Sequence, residues 1–221
     1  MDFSELLTTF LSLLVGLFSV VNPLAAIPVW ITLTEGESPE EQRPQIIKVA
    51  KNVFVLLLIF LLLGNFILSF FGITLTAIKL AGGFVIVISA INMLLSNNNN
   101  RRLSKDTVES ATDKEDITFS PMSMPMLVGP GSMALVLSYS ESFGYLWTQK
   151  ESAIKYGLTI LGIGIVCTSI FFILKYSKYI IKALGPSGII GLSRMMAFIL
   201  LSLGMQYLVN GVKDVVKQFM E

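Results

Sequence analysis

The chain has no histidine, a single cysteine and few charges, and each shortage removes a class of function. Without histidine there is no imidazole general base, no nucleophilic triad built on one and no imidazole metal ligand. Cys167 cannot form a disulfide or a redox pair within the chain, and in an apolar stretch it behaves as a small hydrophobe. Charged residues make up 14% of the chain, against about 25% in a soluble domain. That is too few to cover a globule with polar surface. A net charge of +1 leaves no basic footprint for nucleic acid. The phosphate loop G-x4-G-K-[ST] does not occur, so ATP is not the expected energy source. An intramembrane enzyme would need paired carboxylates, a nucleophile with its base, or a metal cluster, and the apolar stretches offer none of these. No enzyme activity, cofactor or metal is therefore expected.

What the chain has is hydrophobic length. Uncharged runs cover 6–34, 52–78, 80–100, 117–140, 156–174 and 195–212. About 20 apolar residues cross a bilayer as a helix. The runs predict an all-α membrane protein with six transmembrane helices, near 4–33, 45–71, 74–96, 119–140, 153–176 and 188–211. The first is not read as a cleaved signal peptide, because Asp2 and Glu5 replace a basic leader and the apolar part is too long. Residues 97–117, opening with Asn97-Asn98-Asn99-Asn100-Arg101-Arg102, form a polar linker. The organisation expected is a first three-helix repeat (1–96), the linker (97–117) and a second three-helix repeat (118–221).

Eleven basic residues fall on one side of such a bundle: Arg43, Lys48, Lys51, Arg101, Arg102, Lys105, Lys114, Lys175, Lys178, Lys182 and Arg194. Five fall on the other: Lys79, Lys150, Lys155, Lys213 and Lys217. The positive-inside rule puts the first group in the cytoplasm. Loops 35–46, 97–117 and 177–187 are then cytoplasmic, both termini lie outside, and the bilayer is the cytoplasmic (inner) membrane. Three spans per half make the second half enter from the opposite face, so the repeats are inverted. Trp30, Tyr145, Trp147, Tyr176 and Tyr179 fit interfacial aromatic belts.

Two matched interruptions carry the functional reading. Asn22-Pro23-Leu24-Ala25-Ala26-Ile27-Pro28 breaks the first span and Pro125-Met126-Leu127-Val128-Gly129-Pro130-Gly131-Ser132 the fourth, 102 residues apart. Proline removes a backbone donor and clashes with the preceding turn. Broken backbone at membrane depth survives only where it is buried in protein or lines a wet cavity. Paired breaks in corresponding places point to a transporter's binding site. Half-helix ends supply N–H groups for a carboxylate and carbonyls for an ammonium or a metal cation. Asn22 and Ser132 add polar side chains, and Gly129 and Gly131 allow close approach. Lys79 and Arg194 each open a span, and their weaker expected role is gating or pairing with a carboxylate, against simple snorkelling. Gln206 is even between ligand contact and interhelical bonding, Asn65 is read as an interhelical bond, and Asn210 as solvated near an interface. No acidic side chain is placed inside a span, so the coupling ion is expected to be Na⁺ on backbone carbonyls, or H⁺ carried some other way.

These motifs are similar to those of the MarC family of bacterial and archaeal integral membrane proteins. The likeness rests on Val21-Asn22-Pro23-Leu24-Ala25-Ala26-Ile27-Pro28, Lys79-Leu80-Ala81-Gly82-Gly83, Met124-Pro125-Met126-Leu127-Val128-Gly129-Pro130-Gly131-Ser132, and Arg194 with Gln206 and Asn210. It spans nearly the whole chain except the linker. Lys79 stands where an arginine is expected, which keeps the charge but not the bidentate fork. The resemblance implies a secondary transporter of small neutral amino acids such as glycine, alanine and serine. The alternatives are an exporter of other small metabolites and a membrane protein with no transport role. The residues leave a homo-oligomer open.

Overall fold

The computed structural model describes residues 3–95, 116–143 and 150–220. These residues are helical almost throughout, in the order α1 (Phe3–Val21), α2 (Ile27–Leu33), α3 (Pro39–Phe71) and α4 (Leu75–Leu95), then an irregular segment, Thr118–Leu127, and α5 (Pro130–Phe143), α6 (Lys150–Lys175) and α7 (Ser177–Met220). Among the described residues, four helices are long and apolar enough to cross a membrane: Pro39–Phe71, Leu75–Leu95, Glu151–Lys175 and Ser187–Met220. The other two expected spans are each in two pieces, α1 with α2 and Thr118–Leu127 with α5. Tyr145 and Trp147 of the expected belts, and most of the linker with Arg101, Arg102, Lys105 and Lys114, lie outside the described residues.

α3 shows how local chemistry sets the boundaries. Ser38 is its N-cap: the Glu41 N–H donates to Ser38 Oγ at 3.3 Å, and the Ser38 N–H donates to Glu41 Oε2 at 2.8 Å. Pro39 follows as the first helical residue, where its missing N–H costs nothing. At the far end Gly72 turns left-handed (φ 64°), and the Ile73 N–H reaches back to Leu68 O at 2.9 Å. The helix therefore starts six residues before the expected 45, and the loop expected over 35–46 is helical from Pro39. With 33 residues at about 1.5 Å each it exceeds a hydrocarbon core of roughly 30 Å. Its charged first turns carry the surplus length.

The loop expected over 177–187 is also helical, apart from a break at Gly185 (φ 68°), and α7 continues to Met220 rather than ending near 211. Large apolar side chains such as Phe66, Phe70 and Phe71 on α3 and Phe84 on α4 are exposed, as lipid-facing positions should be.

The main core joins α1, α2, α3, Thr118–Leu127, α5 and α6. Val49, Val53, Leu57 and Leu61 of α3 meet Leu17, Val21 and Trp30, the Met122–Val128 stretch, and Ile163, Val166 and Ile170 of α6. α4 and α7 form a second, smaller cluster around Ile86, Ala90 and Leu200, which touches the main body through Val20. Glycine brings these two helices together. A Cβ on Gly83 would stand 2.9 Å from Gly204 O, and one on Gly204 would stand 2.8 Å from a Val87 methyl. This is the small-residue packing that replaces the hydrophobic effect between helices in lipid.

Substituting alanine at Gly83 or Gly204 should therefore destabilise the protein in detergent by about 1–3 kcal/mol. Gly16→Ala, at a site with nothing within 4 Å of a new Cβ, should stay within about 0.5 kcal/mol of the parent. Thermal unfolding of the three purified variants checks the contrast.

Candidate functional site

α1 stops because Pro23 has no N–H to extend it. Asn22, just before it, takes a left-handed φ of 47°, which asparagine tolerates better than other side chains. Its N–H still closes the helix on Phe18 O at 2.9 Å. The chain then turns, with the Ala25 N–H on Asn22 O at 3.1 Å, and Pro28 enters the first turn of α2.

Asn22 is 8% exposed, and its Nδ2 donates to Met93 Sδ on α4 at 3.3 Å. A thioether can only accept, so chemistry orients the amide with its nitrogen toward Met93. That leaves Oδ1 buried without a partner among the described residues. The indole Nε1–H of Trp30, on α2, is also buried without an acceptor. Trp30 is fully buried in the main core, so its expected place in an interfacial belt is corrected: the break turns α2 inward and carries the ring with it. Tyr176 and Tyr179 are exposed.

The second break begins earlier than the Pro125–Pro130 pair. Ser120 (φ −124°, ψ 122°) and Met124 (φ −133°, ψ 127°) are both extended, and each precedes a proline, Pro121 and Pro125, through a cis peptide bond. A residue before proline is pushed out of the helical region. The intervening turns are wide: Met122 N–H bonds Ile117 O at 3.4 Å and Val128 N–H bonds Ser123 O at 2.8 Å. Pro130 opens α5. The Ser132 hydroxyl donates to Gly129 O at 2.9 Å, so it holds the break together. A Cβ on Gly129 would meet Pro125 O at 2.9 Å. At Gly131 it would meet Ile86 of α4 at 3.0 Å and Val20 of α1 at 3.3 Å. The two breaks are thus brought together against one helix. Ile86 faces the second break, and Met93, two turns further along α4, faces the first.

The remaining sequence-predicted residues lie elsewhere. Gln206 is exposed on α7, where its Nε2 donates to Asn210 Oδ1 at 3.0 Å, so Asn210 is bonded rather than merely solvated. Arg194 is exposed on the same helix. Asn65 does bond between helices: its Nδ2 donates to Ser140 O at 3.1 Å and to the Tyr156 hydroxyl at 3.3 Å. Lys79 does not snorkel alone. Its Nζ pairs with Asp214 Oδ2 of α7 at 2.7 Å, the two side chains being 22% and 38% exposed. Because α7 runs past 211, it lays Asp214 beside the first turns of α4.

A family profile described as "MarC family integral membrane protein" matches residues 7–216. The chain belongs to the MarC family. It is 32% identical to a UPF0056 membrane protein of Pyrococcus abyssi over 95% of this chain and 96% of that one. It is 31% identical to the UPF0056 membrane protein YvbG of Bacillus subtilis over 96% of each, and 26% identical to YhcE of Escherichia coli over 91% and 90%. No solved structure matches.

In this MarC protein the second break is tied down at its entrance. Asp116 Oδ2 accepts from Lys48 Nζ of α3 at 2.7 Å, while Oδ1 accepts from the Thr118 N–H and hydroxyl. Ser123 Oγ donates to Thr118 O at 2.6 Å and toward Val49 O of α3 at 3.4 Å. The bond from Lys48, then that from Thr118, lowers the Asp116 pKa from 3.8 to about 2. A carboxyl whose folded pKa lies below its unfolded one stabilises the fold above the unfolded value, and that contribution is lost as pH falls through the folded value. Stability should therefore drop between pH 3.8 and about 2 by more in the parent than in Asp116→Asn, which has no such proton to gain. Acid titration of thermal unfolding in both proteins measures the difference.

Proposed function

We propose that this MarC protein is a secondary transporter of small neutral amino acids, glycine, alanine and serine, with the substrate held where the two broken spans meet against α4. The observation that carries this reading is the unpartnered Oδ1 of Asn22, 8% exposed at the first break. A buried acceptor without a donor costs about 1–3 kcal/mol. A protein retains that cost where a ligand repays it.

The first broken span holds both halves of what a zwitterion needs. Oδ1 of Asn22 is an acceptor suited to an ammonium, and Nε1–H of Trp30 is a donor suited to a carboxylate. The N-terminal turn of α5, after Pro130, adds the positive end of a helix dipole. Gly131 brings α5 into close contact with Val20 and Ile86, and tight packing around the breaks suits a ligand with a small side chain.

The same reading includes six spans in two inverted repeats, in the cytoplasmic membrane, with both termini outside. Each half supplies a broken span followed by two long helices, and the contacts between α3 and α6 and between α4 and α7 pair equivalent members of the two halves. Transport would proceed by movement of the α4–α7 pair against the main core, with a Na⁺ or H⁺ gradient as driver. Lys79–Asp214, at the end of that pair, would be one of the contacts that makes and breaks.

Proteoliposomes given radiolabelled glycine or alanine, under imposed Na⁺ or H⁺ gradients, should accumulate substrate well above empty vesicles. Gly131→Val, which fills the contact between the breaks, should lower uptake by about a hundred-fold, the scale of effect expected when a ligand site is displaced by 1 Å. Uptake equal to that of empty vesicles under every gradient would end the assignment.

A further inference from the structure

The end of α1 carries more unsatisfied oxygen than a single side chain. In a continuous helix Ser19 O would accept from residue 23, but Pro23 has no N–H. Val21 O would accept from Ala25, whose N–H has turned instead to Asn22 O at 3.1 Å. Among the described residues no backbone amide donates to Val20 O either. Ser19 is 3% exposed and Val21 1%, while Val20 is half-buried, so the carbonyls of Ser19 and Val21 belong to residues shielded from open water. Helix α1 has no basic residue in its last turn to offset the dipole. Asn22 follows directly, with Nδ2 committed to Met93 and Oδ1 unpartnered. The orphaned side-chain oxygen and the row of orphaned carbonyls are separate observations of the same deficit. Both are acceptors, in a place where the helix end contributes roughly half a negative charge.

We infer that the carbonyl end of α1, completed by Asn22 Oδ1, is a binding site for a small cation: Na⁺, or the ammonium group of an amino acid. A cation satisfies several oxygens at once and brings no acceptor of its own that would need a partner. Na⁺ takes oxygen ligands and would make the site the coupling-ion site. An ammonium takes the same oxygens as hydrogen-bond acceptors and would make it the amino end of the substrate site. The ammonium source rests on the transporter reading, whereas the Na⁺ source does not.

Two substitutions respect the left-handed backbone at position 22. Asn22→Gly removes the oxygen, and Asn22→Asp keeps it and adds charge. Equilibrium dialysis of the purified full chain in detergent, with radiolabelled Na⁺ in amino-acid-free buffer and with radiolabelled glycine in choline buffer, separates the two sources. The parent should bind one of them, N22G should bind it at least about ten-fold more weakly, and N22D should bind Na⁺ at least about ten-fold more tightly if Na⁺ is the occupant. If ammonium is the occupant, trimethylglycine, which has no N–H, should fail to compete with glycine. The site is overturned if the parent binds neither probe, if N22G binds as the parent does, or if N22G does not fold and N22D leaves binding of the parent's occupant unchanged. Glycine flux that persists unchanged in N22G removes the site and leaves the transporter standing. Na⁺ binding lost in N22G, from a protein that moves no amino acid, does the opposite.

Discussion

A membrane interior supplies no water to a bare amide or carbonyl, and this constraint organises the fold. A continuous helix meets it internally, as α3, α4 and α6 do. A broken helix cannot, so both broken spans here must be buried against protein. The cover they share is α4. Its Met93 takes the Asn22 amide and its Ile86 closes over Gly131, while Gly82 lets its backbone approach Ala134 of α5 so closely that a Cβ would stand 2.5 Å from that methyl. An α4 with larger side chains along this face would stand away from both breaks and leave their backbone to lipid.

The same contacts fall on a seam. On one side lies the main core, in which α1, α2, the Thr118–Leu127 segment, α3, α5 and α6 share one cluster of buried side chains. On the other lies the α4–α7 pair, locked by Gly83, Gly204 and Gly211, whose own cluster has only Ile86, Ala90 and Leu200 as its buried members. The pair is more tightly joined within itself than to the rest. It is attached to the core at the breaks and where Gly82 packs on Ala134 of α5, and at one end its members are pinned together by the ion pair Lys79–Asp214. A partly exposed pair of this kind is worth about 1 kcal/mol or less, which is strong enough to set a geometry and weak enough to be exchanged.

Much of this was legible in the chain itself. Absent charge and long apolar runs predicted helices in a membrane, and proline marked both interruptions because its missing N–H acts locally, whatever the tertiary context. Ser38, Pro39 and Glu41 gave the start of α3 the signature of a capping box, although the apolar run alone suggested a start six residues later. What was hidden depends on partners distant in sequence. Asp214 looked like tail because hydropathy stops near residue 212, yet the helix continues and meets Lys79, 135 residues away. Trp30 looked like a belt residue because tryptophan favours interfaces, and only the turn at the first break places it in the core. The early start of the second break was readable at Ser120-Pro121, by the same rule that was applied to Pro125.

The two breaks are not equivalent chemically, and the difference follows from which polar groups each leaves over. At the second, Ser132 and Ser123 turn their hydroxyls onto Gly129 O and Thr118 O, and Asp116 caps the entrance, so side chains of the segment bond its own backbone. At the first, no hydroxyl among the described residues does this for the end of α1, and the Asn22 amide gives its donor to a thioether, a weak acceptor. The surplus at the first break is therefore of acceptors, while the second presents the donor end of α5. A ligand lying between them would be drawn with its positive end toward Asn22 and its negative end toward Pro130. That polarity arises from backbone direction together with the Asn22 amide oxygen, in a region with no histidine.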